Sequence, residues 1–322
     1  MRFIAKVICV TFLSVTTIVH AAEEFPNRSI RLVVPYPTGG GTDIMARAMS
    51  EPLRKLLGQS IIVENKPGAG GALGAAEVAR APADGYTLLM TAGGFVIAPS
   101  VLPNAGYDPE KDFTGVAQVV IVPLLVVTRP QSPLASFADL LTASRYVAAD
   151  VSYASFGNAT PPHLVGTAIQ QLGQVKMTHV PYKGGMQALP DVMAGRVTVG
   201  ILDAVSTTPF VKDGRLKALA VTGPTRLPAL PDVPTIVESG IDFDAVGWHG
   251  VFAPRSVPKP IVERLNKAFA AAAGEPDIRE RIVSGGSIPI EPALRGTQWT
   301  ERYRREIGQW AGIVRSGNVV VE

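Results

Sequence analysis

The stretch Ile30-Arg31-Leu32-Val33-Val34-Pro35-Tyr36-Pro37-Thr38-Gly39-Gly40-Gly41-Thr42-Asp43 decides the fold. A short apolar run stops at Pro35, a glycine turn follows, and helical spacing begins at once. Ile44, Met45, Ala48, Met49 and Leu56 recur at threes and fours. Thr42 reads as the N-cap, with Asp43 in the first turn where the helix dipole favours an acid. Strand, glycine turn and helix in that order open a mainly parallel sheet of an α/β fold.

The same alternation continues outward. Residues 60–64 read as a strand, 71–80 as a small-residue helix and 86–90 as a third strand. After a strand at 124–127, Ser136 opens a helix with Asp139 placed for a capping box. A strand at 151–155 leads to a helix begun by Pro161 and Pro162 and running to about Leu172. Strands follow at 176–180, 197–202 and 216–221. A helix at 186–194 tolerates Pro190 only by kinking or breaking there. Past a proline-rich loop at 227–234 come a strand at 246–252 and two helices, 260–273 and 297–315. Ile261, Leu265 and Phe269 stripe the first of these. Trp299, Tyr303, Ile307, Trp310 and Val314 lie along one face of the second and read as core or docking residues.

Composition excludes several classes. With 47% hydrophobic and 18% charged residues, the 322-residue chain is not disordered. Arg2 and Lys6 precede an uncharged apolar run ending near Val19-His20-Ala21, so residues 1–21 read as a secretory signal and the mature chain starts near Ala22. A membrane anchor is the alternative, but the run is short for a span. Losing Arg2 and Lys6 lowers the net charge from +3 to +1, and no basic block supports nucleic-acid binding. The one cysteine, Cys9, lies in that leader, which leaves no disulfide, thiolate metal site or cysteine nucleophile afterwards. Nor is there a Gly-x-Ser-x-Gly elbow or a phosphate loop. The run Gly68-Ala69-Gly70-Gly71-Ala72-Leu73-Gly74 has its third glycine one residue late for a dinucleotide fold. His163, His179 and His249 do not have metal-ligand spacing. A hydrolase with dispersed catalytic residues stays open, since triads assemble across a fold.

What remains is glycine and hydroxyl residues at three strand-to-helix junctions: 35–43, 155–163 and 182–185. Free N–H groups at a helix start attract anions, and in open α/β sheets ligands bind at the carboxyl ends of the strands. Each helix N-terminus contributes about 0.3–1 kcal/mol to a carboxylate, and up to ~2 in a partly buried site. Caps and turns alone are the plainer explanation of any single junction.

Several segments together resemble one family: 26–35 followed by the Gly-Gly-Gly-Thr-Asp turn, 63–71, 84–89, Tyr153-Ala154-Ser155, Gly157-Asn158, Pro162-His163-Leu164, 179–184, Leu219-Ala220-Val221-Thr222 and 230–235. The chain is similar over its mature length to Bug-type extracytoplasmic solute receptors of tripartite tricarboxylate transporters. The resemblance implies a two-lobed, type II-like periplasmic binding protein, or Venus flytrap, with two crossovers, near Pro123 and at 244–247. Lobe 1 is expected to take 22–123 plus 245–322, and lobe 2 to take 124–244. It implies a monomeric periplasmic receptor, without cofactor or metal, that captures a small carboxylate for a membrane permease. Ligand sensing for a membrane signalling protein is the second use within that class. Carried over by position, the ligand-binding candidates in lobe 1 are Tyr36, Thr38, Gly39, Gly40, Gly41, Thr42, Asp43, Thr91, Ala92, Gly93 and Gly94. In lobe 2 they are Ser155, Phe156, Asn158, Thr160 and Asp203. Asp43 either meets the ligand or caps its own helix. Thr38 stands where the family usually has proline, Phe156 where it usually has serine, Gly94-Phe95 where a hydroxyl-containing pair is common, and Asp203-Ala204 where Asp-Asn is frequent. Phe95 and Phe156 together suggest a ligand with an apolar or aromatic part.

Overall fold

The computed structural model describes residues 25–102, 104–146, 150–158, 160–244, 246–290, 296–317 and 319. The secretory-signal reading of 1–21 lies outside them. Two mixed sheets, each flanked by helices, make a two-lobed α/β molecule. The first sheet begins with β1 (Ile30–Val34), α1 (Gly41–Leu57), β2 (Ile61–Asn65), α2 (Ala72–Ala79), β3 (Thr87–Ala92) and α3 (Gly94–Val101). Next comes β4 (Phe113–Val122), and one residue later β5 (Leu124–Thr128) opens the second sheet. That sheet continues through α4 (Phe137–Arg145), β6 (Ser152–Ser155), α5 (Pro161–Gly173), β7 (Thr178–Pro181), α6 (Gly185–Ala194), β8 (Val199–Asp203), α7 (Ala204–Lys212) and β9 (Lys217–Val221). The chain then returns through β10 (Gly247–Pro254), α8 (Lys259–Gly274), α9 (Pro276–Ser284), β11 (Ile288–Pro289) and α10 (Gly296–Ser316).

Strand order is β11-β4-β10-β3-β1-β2 in one sheet and β7-β6-β8-β5-β9 in the other. β1 pairs in parallel with β2 and β3, while β10 runs antiparallel between β3 and β4. In the second sheet β6 is parallel to β7 and β8, and β5 runs antiparallel between β8 and β9. Register fixes where the ends fall. His249 faces Ala92, Gly247 faces Val122 and Leu124 faces Asp203. The carboxyl ends of β1, β3, β4, β6, β7 and β8 therefore all point toward the Val122-Pro123-Leu124 crossover.

Gly247, where β10 begins, pairs with Val122, the residue before Pro123. Thr222 Oγ1 accepts the Leu124 N–H at 2.9 Å, and the Thr222 N–H reaches the Leu124 carbonyl at 2.9 Å. Gly247 has no alternative here, because a Cβ would stand 2.5 Å from the Val122 carbonyl oxygen. Helix α10 packs on β4 and α3, then reaches the second lobe, where Ser316 Oγ donates to Gln171 Oε1 at 3.1 Å. Trp310 meets Phe243 edge-on at 5.7 Å. The last helix thus straps across both lobes rather than serving the first alone.

Local chemistry explains most elements. Ser136 and Asp139 form the expected capping box at α4. Helix α6 runs unbroken through Pro190. The Thr42 cap is corrected: Gly40 occupies the cap position in extended conformation with no side-chain cap, and Thr42 is already inside the helix. The buried stripe of α1 is Met45, Met49, Leu53 and Leu57, while Ile44 and Leu56 face solvent.

Candidate functional site

Lobe 1 presents two helix starts at its crossover edge. At the first, Pro35 to Gly40 carry the chain from β1 into α1, and Gly39 takes φ +83°, which favours glycine. Asp43 is turned inward and 2% exposed. Its carboxylate accepts the Gly39 N–H at 2.8 Å, Arg47 Nε at 3.0 Å and Asn65 Nδ2 at 2.9 Å. Burial alone would raise its pKa, but the Gly39 amide, Arg47 and Asn65 reverse this and hold it below the usual value. Asn65, which the sequence did not single out, also donates to the Tyr36 carbonyl at 3.1 Å, while its own oxygen accepts from Thr38 and Arg47. Asp43 and Asn65 together hold the loop that carries Tyr36, Thr38, Gly39, Gly40 and Gly41. The Asp43 side chain belongs to the frame of this junction.

The second start follows β3, where Gly93 caps α3. Tyr36 joins the two: its hydroxyl lies 3.1 Å from Thr91 Oγ1 and accepts the Ala92 N–H at 3.4 Å. Gly71 and Gly94 crowd the same ring, since a Cβ on Gly71 would meet Tyr36 Cε1 at 3.2 Å and one on Gly94 the hydroxyl at 3.6 Å. Phe95 is a correction. It is 2% exposed and stacks among Tyr107, Phe113 and Phe252, so it fills the core and gives no apolar wall to the site.

In lobe 2, Ser155 ends β6 fully buried. Its Oγ accepts the Gly157 N–H at 3.1 Å and lies 2.7 Å from His179 Nε2. His179 stacks on His163 at 3.9 Å and on Tyr153 at 4.9 Å. Thr160 precedes α5 and donates to the Gly157 carbonyl at 2.7 Å, so its side chain shapes the loop rather than capping the helix. Asn158 is exposed and Phe156 is half-buried against the core. Asp203 ends β8 opposite Leu124 at the crossover. It caps α7 through the Ser206 N–H and hydroxyl, both at 2.8 Å, with Gly185 beside it.

One contact brings the lobes face to face. A Cβ on Gly93 would lie 3.7 Å from Pro161 Cγ, so the start of α3 looks across at the start of α5. Beneath α1, His249 on β10 brings its ring to 3.5 Å from a Cβ on Gly41. From sequence His249 reads as structural or ligand-facing rather than catalytic, and its place beside Gly41 is not legible there because the two lie far apart in the chain.

Burial keeps the histidines neutral. His249 and His179 are each lowered from 6.5 to about 4, by burial in the first case and by burial plus His163 in the second. Burial lowers His163 as well. The unfolded chain takes protons below about pH 6.5 that the folded one refuses. Their contribution is therefore complete above that pH and is lost as pH falls toward 4. For the buried His249 the loss approaches about 3 kcal/mol. Urea unfolding midpoints should fall between about pH 7 and about pH 4.5, and His249→Leu should remove part of that slope. Equal midpoints at both pH values would contradict this burial.

Comparison with known proteins agrees with this architecture. A family pattern described as the tripartite tricarboxylate transporter family receptor matches residues 45–318. The solved periplasmic binding protein BugD is 35% identical, with a TM-score of 0.80 over 92% of this chain and all of its own. An R. palustris protein, Rpa4515, solved with adipate, is 31% identical, with a TM-score of 0.80 over 92% of this chain and 99% of its own. MatC from Rhodopseudomonas palustris, solved with bound malate, is 34% identical, with a TM-score of 0.77 over 90% of this chain and all of its own.

Proposed function

This chain belongs to the tripartite tricarboxylate transporter receptor family, and we propose that it captures a small organic dicarboxylate between its lobes for a membrane permease. The observation that carries this reading is the opposition of Gly93 and Pro161, each at a helix start and in different lobes. Around them lie the strand ends, glycine turns and hydroxyls of 36–43, 91–94, 155–158 and Thr160. Amide groups at helix starts bind a carboxylate without a formal positive charge in the pocket, and each such hydrogen bond contributes about 1.5–3 kcal/mol.

The neighbours solved with adipate and malate support a dicarboxylate, and adipate supports a ligand with an apolar middle. Half-buried Phe156 would face that part. The residues meeting the ligand are the backbone of 39–42 and 92–94, with Asn158 and Thr160 opposite. Tyr36, Thr91, Asp43 and Ser155 hold these groups in position. Lobe boundaries fall at Pro123 and at 244–247, and a periplasmic location agrees with the leader-like residues 1–21.

Closure follows from shared contacts, since a ligand touching both lobes binds the closed form better. Gly93→Leu tests this. Gly93 has φ −52° and ψ −24°, a helical conformation that leucine adopts, and an added Cβ has only Pro161 of the opposite lobe within 4 Å. The variant should fold normally, bind roughly tenfold or more weakly, and show no ligand-induced fall in radius of gyration by small-angle scattering. Wild-type affinity together with wild-type compaction would refute closure at this point.

A further inference from the structure

His249 has two features that no role described so far requires. Its Nδ1 is buried with no hydrogen-bond partner, although the residue is only 7% exposed. Its Cε1–Nε2 edge faces the start of α1, at 3.5 and 3.9 Å from a Cβ on Gly41. That start carries no side-chain cap. The strand register places His249 between Ala92, which enters the second helix start of lobe 1, and Val120 of β4. A buried polar atom without a partner costs stability and marks a constraint other than packing.

We propose that His249 is a specificity-determining residue of the ligand site, donating from Nε2–H to the carboxylate seated on the N-terminus of α1. The inference rests on the receptor reading above. Tautomer chemistry supports it. A neutral imidazole carries its proton on one nitrogen only. An orphaned buried N–H is rarer than an orphaned acceptor, so the partnerless Nδ1 is the bare nitrogen and Nε2 carries the proton. The donor end then faces Gly41, the first residue of the helix. Burial, which holds the ring neutral at pH 7, makes this a hydrogen bond rather than an ion pair. A neutral donor selects a carboxylate by position, and a ligand lacking a carboxylate at that end leaves the donor unmet. Such an unmet buried group is what separates near-identical ligands most strongly.

The test compares wild type, His249→Leu and His249→Gln by calorimetric titration with adipate, malate and their straight-chain homologues. His249→Leu should weaken binding roughly tenfold or more, while His249→Gln, which keeps an N–H donor, should recover most of the loss. Without ligand at pH 7, His249→Leu should melt at or above the wild-type temperature, by up to about 4 °C, because the orphaned Nδ1 is gone. Nitrogen-labelled histidine should show the Nε2–H tautomer, with that proton moving downfield when the tightest carboxylate binds. If wild type binds and His249→Leu binds equally well, the inference falls while the receptor reading stands. A Nδ1–H tautomer, or no imidazole response to ligand, overturns it in the same way. If His249→Leu melts lower and binds more weakly while His249→Gln rescues neither, the residue is structural and the inference is wrong. If wild type binds none of these carboxylates, the dicarboxylate reading fails and takes this inference with it.

Discussion

Trp299→Ala is expected to lower stability by about 3–5 kcal/mol, the cost of emptying a large aromatic site that cannot collapse. Trp299 is fully buried. It meets Trp248 edge-on at 4.8 Å, with Phe252 at 5.5 Å and Tyr303 at 5.8 Å. Two glycines make room for it, since a Cβ on Gly115 or Gly250 would come within 2.6 or 2.4 Å of the indole. Rigid strands β4 and β10 supply those glycines, so little can move in to fill the void. The same substitution loosens α10, and with it the strap from the first lobe to α5. Urea unfolding measures the effect, and a loss under about 1 kcal/mol would contradict this packing.

Asp43→Ala is expected to weaken carboxylate binding roughly 10–100-fold while leaving most of the fold in place. The side chain ties the Gly39 amide, Arg47 and Asn65 to the first turn of α1. Without it the glycine loop samples other conformations, and only the fraction with its amides aimed correctly binds. Asp43→Asn keeps one oxygen for Gly39 and should fall between wild type and alanine. Binding should also decline in acid, once pH falls below the usual carboxylate range and the depressed Asp43 carboxylate takes up its proton. The contrary result is an alanine variant that binds as tightly as wild type, which would make this frame irrelevant to the site.

Fold class was legible because strand, turn and helix repeat with clear punctuation. The Ser136–Asp139 cap and the aromatic face of α10 followed from local spacing alone. Other elements were hidden for physical reasons. β4 is buried almost throughout and so lacks the alternation that marks a half-exposed strand. α3 is apolar on all sides, begins with glycine and contains Pro99, so its pattern fits no simple period. In α1 the apolar residues occupy two adjoining ridges, and only packing on the sheet decides that Met45 is inside and Ile44 outside. α7 and α9 are short, and Pro209 interrupts the pattern of the first.

The candidate site divides the same way. Glycine and hydroxyl residues at strand ends stand out in sequence because a turn needs them. Asn65 and His249 do not, because each acts through partners far away in the chain: Asn65 on Tyr36 and Asp43, His249 beside Gly41. Phe95 misled for a related reason. Its neighbours in sequence are cleft glycines, but the first turn of α3 rotates its ring into the core beside Tyr107 and Phe113.

The central claim is that one small dicarboxylate binds between the two lobes. Calorimetric titration of protein unfolded and refolded to remove carried ligand, using adipate, malate and their homologues, tests it most directly when wild type and Gly93→Leu are run together. The account predicts one-to-one binding of at least one dicarboxylate to wild type and a clear loss in the variant. Absence of binding by every dicarboxylate, or equal binding by both proteins, would contradict it.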